Sequence, residues 1–132
     1  MIRIECQTGR VVELPVADLR RADLSGYALH RAILTGKDLE GSSFAAADLR
    51  NALLDHANLR SCKFENAKMA NIVLVESDLS GADMRGAHLV GAVFDGAILR
   101  NADLSGADIA FASFRRADLR GAIMGSAIRR DC

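Results

Sequence analysis

No stretch of this sequence approaches the roughly 20 consecutive apolar residues that a membrane-spanning helix requires. The first ten residues, MIRIECQTGR, contain no apolar run of the kind found in secretion signals. The 17 Lys and Arg residues balance 17 Asp and Glu residues, so no net charge draws the chain to nucleic acid or to an acidic membrane. These absences predict a cytoplasmic protein that binds neither nucleic acid nor membrane directly.

Cysteine and catalytic motifs are also scarce. Cys6, Cys62 and Cys132 are far apart and in no C-x-x-C spacing, which predicts reduced thiols rather than a disulfide framework. The three histidines show no spacing typical of a metal site, and the sequence has no G-x-S-x-G, P-loop or dinucleotide-binding motif. We therefore expect no catalytic site, no cofactor and no bound metal.

What the sequence does contain is a period of five. Large apolar residues occupy every fifth position from Leu14 to Met124, 23 in a row without an insertion. The residue two positions before each is mostly Ala, and an Asp often stands between them, as in the run GADMR, GAHLV, GAVFD, GAILR, NADLS. This period matches neither the helix nor the long strand, so each unit must be a short extended piece and a turn. Stacking such units buries both apolar columns and predicts a β-solenoid.

The five-residue units resemble the consensus of the pentapeptide-repeat family over residues 12 to about 127. The units that carry the resemblance are ADLRR from Ala17, ADLSG from Ala22, ANLRS from Ala57, ADLSG from Ala102 and ADLRG from Ala117. The resemblance implies an all-β fold, a right-handed quadrilateral β-helix with four repeats per coil, and about six coils here. Every twentieth residue then stacks, so that Leu14 begins a column above Leu34. The same register places Phe44 over Phe64, and Phe94 over Phe114.

The predicted organisation is a single domain over residues 1–132. Residues 1–13 read as two short strands around the turn QTG and form an N-terminal β cap; the coils occupy residues 12–127, and residues 128–132 form a short tail. The last coil of a solenoid exposes its core unless something covers it. Because only GSAIRRDC follows the repeats, we predict a homodimer through the C-terminal end, at Phe114, Leu119 and Met124.

Four departures from the repeat line up along one side. The outward position that Asp usually holds is apolar at Ile33, Leu53, Val73 and Val93, which are spaced by twenty residues. Contiguous apolar surface tends to mark a binding site. An exposed ladder of β-branched and other apolar residues is the alternative, because single exposed apolar residues are ordinary. The sequence leaves both interpretations open.

A charged strip runs along another side. Its members are Arg20, Arg60, Arg100 and Arg120, beside a column of Asp residues. Mutual neutralisation on a solvated face is the favoured interpretation, and an anion-binding strip is the alternative. Lys37 falls in the small-residue column, and we expect its stem to bend outward and keep the ammonium group in water.

Three classes of function follow from these features. The favoured one is a non-catalytic scaffold that binds a protein partner. The alternative comes from the family resemblance, since some pentapeptide-repeat proteins mimic duplex DNA, bind DNA gyrase and protect it. Those mimics are acidic, whereas this chain is neutral. An enzyme is the third and least favoured class, because a filled, convex rod offers no obvious cleft for general acid–base chemistry.

Overall fold

The computed structural model describes residues 1–130. Two strands, β1 (Ile2–Glu5) and β2 (Val11–Leu14), form an antiparallel hairpin at the N-terminus. The rest of the described chain alternates between turns and single β-bridges, and no helix occurs in it. Accordingly, none of the described residues forms a helix long and apolar enough to cross a membrane.

From Asp23–Ser43 to Asp108–Ile128 the bridges are parallel and join residues twenty apart, whereas Cys6 pairs with Ala32 in an antiparallel bridge. Because one bridge occurs every five residues, four pentapeptides separate each residue from its partner, which confirms the predicted register of four repeats per coil. The hydrogen bonds run between coils, and Phe111 N donates to Arg130 O at 2.8 Å. Residues 128–132 were predicted to form a tail, but backbone pairing includes Ile128 and Arg130. Residues 131 and 132 lie outside the described residues. The count of about six coils stays a prediction.

The corners of the coil share one backbone conformation. Every fifth residue from Arg21 to Gly121 has a positive φ, between 54° and 75°. This left-handed region favours Gly, which has no Cβ, and tolerates Asn. The corner preference explains why Gly and Asn recur at the boundaries of the units. Phe111, with φ 61°, is an aromatic residue in the same conformation.

Both apolar columns point into the rod and form one continuous core. The ring centroids of Phe44 and Phe64 lie 5.2 Å apart, and those of Phe94 and Phe114 lie 4.7 Å apart, with interplanar angles of 4° in each pair. The predicted stacking of both aromatic pairs is confirmed.

The hairpin changes the register at the N-terminal end. Ile33 N donates to Glu5 O at 2.7 Å, and Gln7 N donates to Arg31 O at 2.8 Å, so β1 lies between β2 and the coil. The predicted twenty-residue register, which puts Leu14 directly above Leu34, would pair Ile33 with Glu13. Because Ile33 pairs with Glu5 instead, that prediction is wrong at this end of the rod. The side chains of Ile4 and Leu14 are nonetheless buried, so the hairpin covers this end of the core.

Candidate interaction surfaces

The structure brings the four predicted stripe residues together. Bridges join Ile33 to Leu53, Leu53 to Val73, and Val73 to Val93, so the four lie in adjacent coils of one ladder. Ile33 is 38% exposed and the other three are half-buried. We call these four residues the apolar stripe. It ends at Ser113, which pairs with Val93.

Three carboxylates follow the apolar stripe along one edge. Asp55, Glu76 and Asp95, which we call the acidic border, come two or three residues after a stripe residue. Within residues 1–130, none of them forms an ion pair with Lys or Arg. Sequence reasoning missed this group, although its signal is visible: Asp55 and Asp95 come after the large apolar residue, whereas the repeat usually places Asp before it.

Neutral hydroxyl donors hold two of the three carboxylates of the acidic border. Asp55 accepts a hydrogen bond from Thr35 Oγ1 at 2.8 Å, and Asp95 accepts one from Ser113 Oγ at 2.5 Å. Glu76 Oε2 lies 3.5 Å from His56 Nδ1. The carboxylates are thus fixed in position without losing their charge to a guanidinium.

The corner on the other side of the apolar stripe exposes apolar groups. Phe111 is 60% exposed, and Val90 is 37% exposed. Phe111 occupies a corner where the same column holds Asn51, Asn71 and Gly91 in the preceding coils. Sequence reasoning missed Phe111 too; the signal was an aromatic residue in the corner position.

The charged strip consists of ion pairs. They are Arg20–Asp18 (2.9 Å), Arg60–Asp78 (3.3 Å), Arg100–Asp118 (2.6 Å) and Arg120–Asp118 (2.7 Å). Hydrogen bonds from Arg120 and then Arg100 hold the pKa of the Asp118 carboxyl well below its usual range. Every Arg of the strip is paired, so the geometry supports mutual neutralisation rather than an anion site.

Two further Arg–Asp pairs sit on other sides of the rod. Arg50 lies 2.7 Å from Asp48, and Arg85 lies 2.6 Å from Asp83. In each pair the hydrogen bond from the guanidinium lowers the pKa of the carboxyl. Neutralisation within one unit is therefore a recurring feature of this surface.

Within residues 1–130, nothing covers the C-terminal end of the core. Phe114, Leu119 and Met124, the predicted dimer residues, are half-buried, whereas Phe94 and Leu99 are fully buried one coil earlier. At the next position of the large apolar column stands Arg129, whose guanidinium donates to Met124 O. The three predicted residues thus lie together at one open end.

Two exposed isoleucines extend this open end onto the sides of the rod. Ile123 is 54% exposed and Ile128 is 46% exposed. Sequence reasoning did not single them out. Their signal was an apolar residue in the outward position that Asp usually holds.

Polar groups inside the rod are satisfied by the backbone. Cys62 Sγ donates to Leu39 O at 3.0 Å, and burial raises the pKa of this thiol to about 12. Ser77 Oγ donates to Leu74 O at 2.7 Å. Lys37 is exposed, as predicted. These contacts explain how polar residues fit the interior, and they leave Cys62 unreactive.

The structure also contains a groove between β1 and the coil. It has a volume of about 380 Å³ and is lined by Arg3, Glu5, Ile33, Thr35 and Lys37. The lining includes one carboxylate and neither histidine nor cysteine. Across the described part of the chain, no group of three or more His, Cys, Asp or Glu residues is placed to hold a metal ion.

Comparison with known proteins identifies relatives of this rod. The family model for pentapeptide repeats (8 copies) matches residues 17–60, 57–95 and 87–125. A pentapeptide repeat protein of Nostoc PCC 7120 is 34% identical, with a TM-score of 0.65; the match covers 79% of this chain and 84% of that one. No curated protein matches the sequence.

Two other solved structures are more distant in shape. A pentapeptide repeat protein from the thylakoid lumen of Arabidopsis thaliana is 33% identical, with a TM-score of 0.47; the match covers 67% of this chain and 66% of that one. Full-length QnrB1, a plasmid-mediated fluoroquinolone resistance protein, is 18% identical over 84% of this chain and 78% of its own, with a TM-score of 0.47. From its repeats, its ladder and the match to the family model, the chain belongs to the pentapeptide-repeat family.

Proposed function

We propose that this protein is a non-catalytic, cytoplasmic scaffold that binds a protein partner through the apolar stripe. The observation that carries the proposal is the continuous ladder from Ile33 to Val93, in which four apolar side chains project outward in consecutive coils. Backbone hydrogen bonds hold each rung; Leu53 N, for example, donates to Ala32 O at 2.9 Å. The surface is therefore formed before binding, which lowers the entropy lost when a partner docks.

The interior of the rod argues for binding rather than chemistry. Its apolar columns are filled, and its polar groups are engaged by backbone carbonyls. The thiols of Cys6 and Cys62 are free and buried, which suits a reducing compartment. A scaffold needs only the outer surface, and this fold presents ordered side chains there.

The stripe is tested by Val73→Asp, with Ile98→Asp as the matched control. Ile98 holds the same outward position on a neighbouring side and is 38% exposed. Asp often holds the outward position of a unit, and the Arg residues that pair with Asp78 and Asp118, the ladder neighbours of Ile98, offset the added charge of Ile98→Asp. Both variants should therefore keep the wild-type circular dichroism spectrum. In a pull-down of partner proteins followed by interferometry, we expect Val73→Asp to weaken binding at least tenfold and Ile98→Asp to leave it unchanged. Wild-type affinity for Val73→Asp would show that the stripe is only a solvated ladder.

A second surface supports self-association of the scaffold. Phe114, Leu119 and Met124 form an open apolar end, and the last coil leaves its ladder edge without a following coil in the described chain. Apolar ends and unpaired edges of solenoids need covering. We propose that a second copy of the chain covers this end.

Gyrase binding remains the alternative function and rests on the family resemblance alone. The ion pairs of the charged strip and the zero net charge do not favour DNA mimicry. A supercoiling assay with purified DNA gyrase separates the two functions. Inhibition of gyrase at a stoichiometric concentration of this protein would favour gyrase binding. Full gyrase activity would favour the scaffold function.

A further inference from the structure

The two borders of the apolar stripe differ in chemistry. One is the acidic border, and the other is the corner that exposes Val90 and Phe111. Asp55 and Asp95 hold equivalent positions two coils apart, which at the ladder spacing separates them by about 10 Å. The stripe thus lies between a row of carboxylates and an aromatic corner.

Within residues 1–130, no Lys or Arg forms an ion pair with the acidic border. Elsewhere on the rod an Arg two residues after an Asp binds it, as Arg50 binds Asp48. The cations nearest the stripe in the twenty-residue register are Arg31 and Lys37 beside Ile33, and Arg115 and Arg116 after Ser113. Arg50 stands in the column of Val90 and is paired with Asp48. The section from Leu53 to Val93 is therefore apolar with a negative edge.

Phe111 is poorly suited to its position on structural grounds. Its φ of 61° disfavours a side chain with a Cβ, and burial offers no compensation because the residue is 60% exposed. Asn71 and Gly91 fill the same corner in the two preceding coils. Exposed aromatic residues are prominent among the anchors of protein interfaces, which gives a reason to keep Phe here.

We propose that this side of the rod binds a basic protein segment with an apolar centre. The apolar residues of the segment pack on Leu53, Val73 and Val93, with Phe111 as the anchor. Its Lys or Arg side chains, about 10 Å apart, meet the carboxylates of the acidic border. This inference rests on the proposed scaffold function and adds the charge and the anchor of the partner.

The partner chemistry is tested with a phage-displayed library of random 12-residue peptides. The library is selected on the wild-type protein and counter-selected on Val73→Asp. We expect peptides with apolar residues flanked by Lys or Arg and a positive net charge. Enriched peptides that are neutral or acidic would overturn this inference and leave the scaffold function standing. If the selected peptides bind the wild type and Val73→Asp equally well, the apolar stripe is not the binding surface, and both the scaffold proposal and this inference are overturned.

The acidic border is tested with the most enriched peptide, synthesised and titrated by fluorescence anisotropy. Asp55→Asn combined with Asp95→Asn should weaken binding about tenfold at low salt, and the loss should shrink at 0.5 M salt (~4 Å screening length). The matched control combines Asp103→Asn with Asp108→Asn, which removes the same charge from other sides of the rod. Equal losses in the two double variants would mean that only net charge matters, contrary to the proposal.

The anchor is tested with Phe111→Asn. Asn suits the left-handed corner, so the variant should unfold at a temperature equal to or above that of the wild type. It should nevertheless bind the peptide at least tenfold more weakly. A purely structural role predicts lower stability together with the weaker binding, and wild-type affinity would exclude Phe111 as the anchor.

Discussion

Phe94 and Phe114 stack face to face across two adjacent coils, with ring centroids 4.7 Å apart and planes 4° from parallel. Phe94 is fully buried, whereas Phe114 is half-buried because its other face looks out of the open end. One aromatic pair therefore contains both an interior and a terminal core position of the solenoid.

This difference predicts unequal effects of truncation. Phe94→Ala should lower the free energy of unfolding by about 3–5 kcal/mol, the usual range for a buried Phe. Phe114→Ala leaves no enclosed cavity and should cost on the order of half as much. Urea unfolding followed by circular dichroism measures both, and equal losses would indicate that the end is already covered in solution.

A second prediction concerns the corner glycines. A Cβ on Gly91 would lie 2.4 Å from Asn71 Oδ1, whereas one on Gly36 would meet nothing within 4 Å. The two glycines have nearly equal φ, 72° and 70°, so Ala at either position costs about 1–2 kcal/mol in backbone strain. Gly91→Ala should cost about 1 kcal/mol more, because the Asn71 amide must move.

A double-mutant cycle checks the cause of that extra cost. Asn71→Gly in the Gly91→Ala background removes the crowded oxygen and should recover the additional destabilisation measured by thermal unfolding. If the two changes are additive, the contact between Asn71 and residue 91 is not the cause.

A third prediction concerns acid. Arg partners hold the pKa values of Asp48, Asp83 and Asp118 below their usual 3.8 in the folded protein. A carboxyl whose folded pKa is lowered stabilises the fold above its unfolded pKa, and this stability is lost as the pH falls through 3.8 towards the folded pKa. We expect the unfolding temperature to fall as the pH is lowered from about 5 to about 2, a range that extends about one to two units on either side of the ordinary Asp pKa. In a variant that combines Asp48→Asn with Asp83→Asn, the unfolding temperature should fall less steeply with pH. An unchanged slope would contradict the assignment of the acid sensitivity to these carboxyls.

A fourth prediction concerns the open end. Met124→Lys places a charge in the proposed contact and should convert a dimer to a monomer in multi-angle light scattering, because a buried unpaired ammonium is costly. Val11→Lys is the control, since Val11 is a partly exposed residue of β2 in the opposite end of the rod. A wild-type protein with monomer mass would rule out the dimer.

The sequence predicts the repetitive part of the fold because one physical rule recurs in every unit. A large and a small apolar residue two positions apart must point the same way, and stacking them buries both. That rule predicts the solenoid. The four repeats per coil that the family resemblance implies then place Phe44 over Phe64 and link Ile33 through to Val93.

The parts that break the repeat were less predictable. Nothing in the cap sequence specifies that Glu5, rather than Glu13, pairs with Ile33, because hairpin strands carry no five-residue signal. The acidic border was also missed. The sequence shows that Asp55 follows a large apolar residue whereas Asp48 precedes one, but only the structure shows that Asp48 has an Arg partner and Asp55 has a hydroxyl donor. Phe111 required the φ value as well as the residue type.

The N-terminal hairpin gives the rod a direction. During synthesis β1 and β2 leave the ribosome before the coils that follow them, and β1 presents an edge to which the segment containing Ile33 can pair. Each later coil then adds to the one already formed, since a coil of a solenoid contacts only its immediate neighbours. The hairpin is thus a template for assembly as well as a cap on the core, and within residues 1–130 the last coil is the one that has a neighbour on one side only.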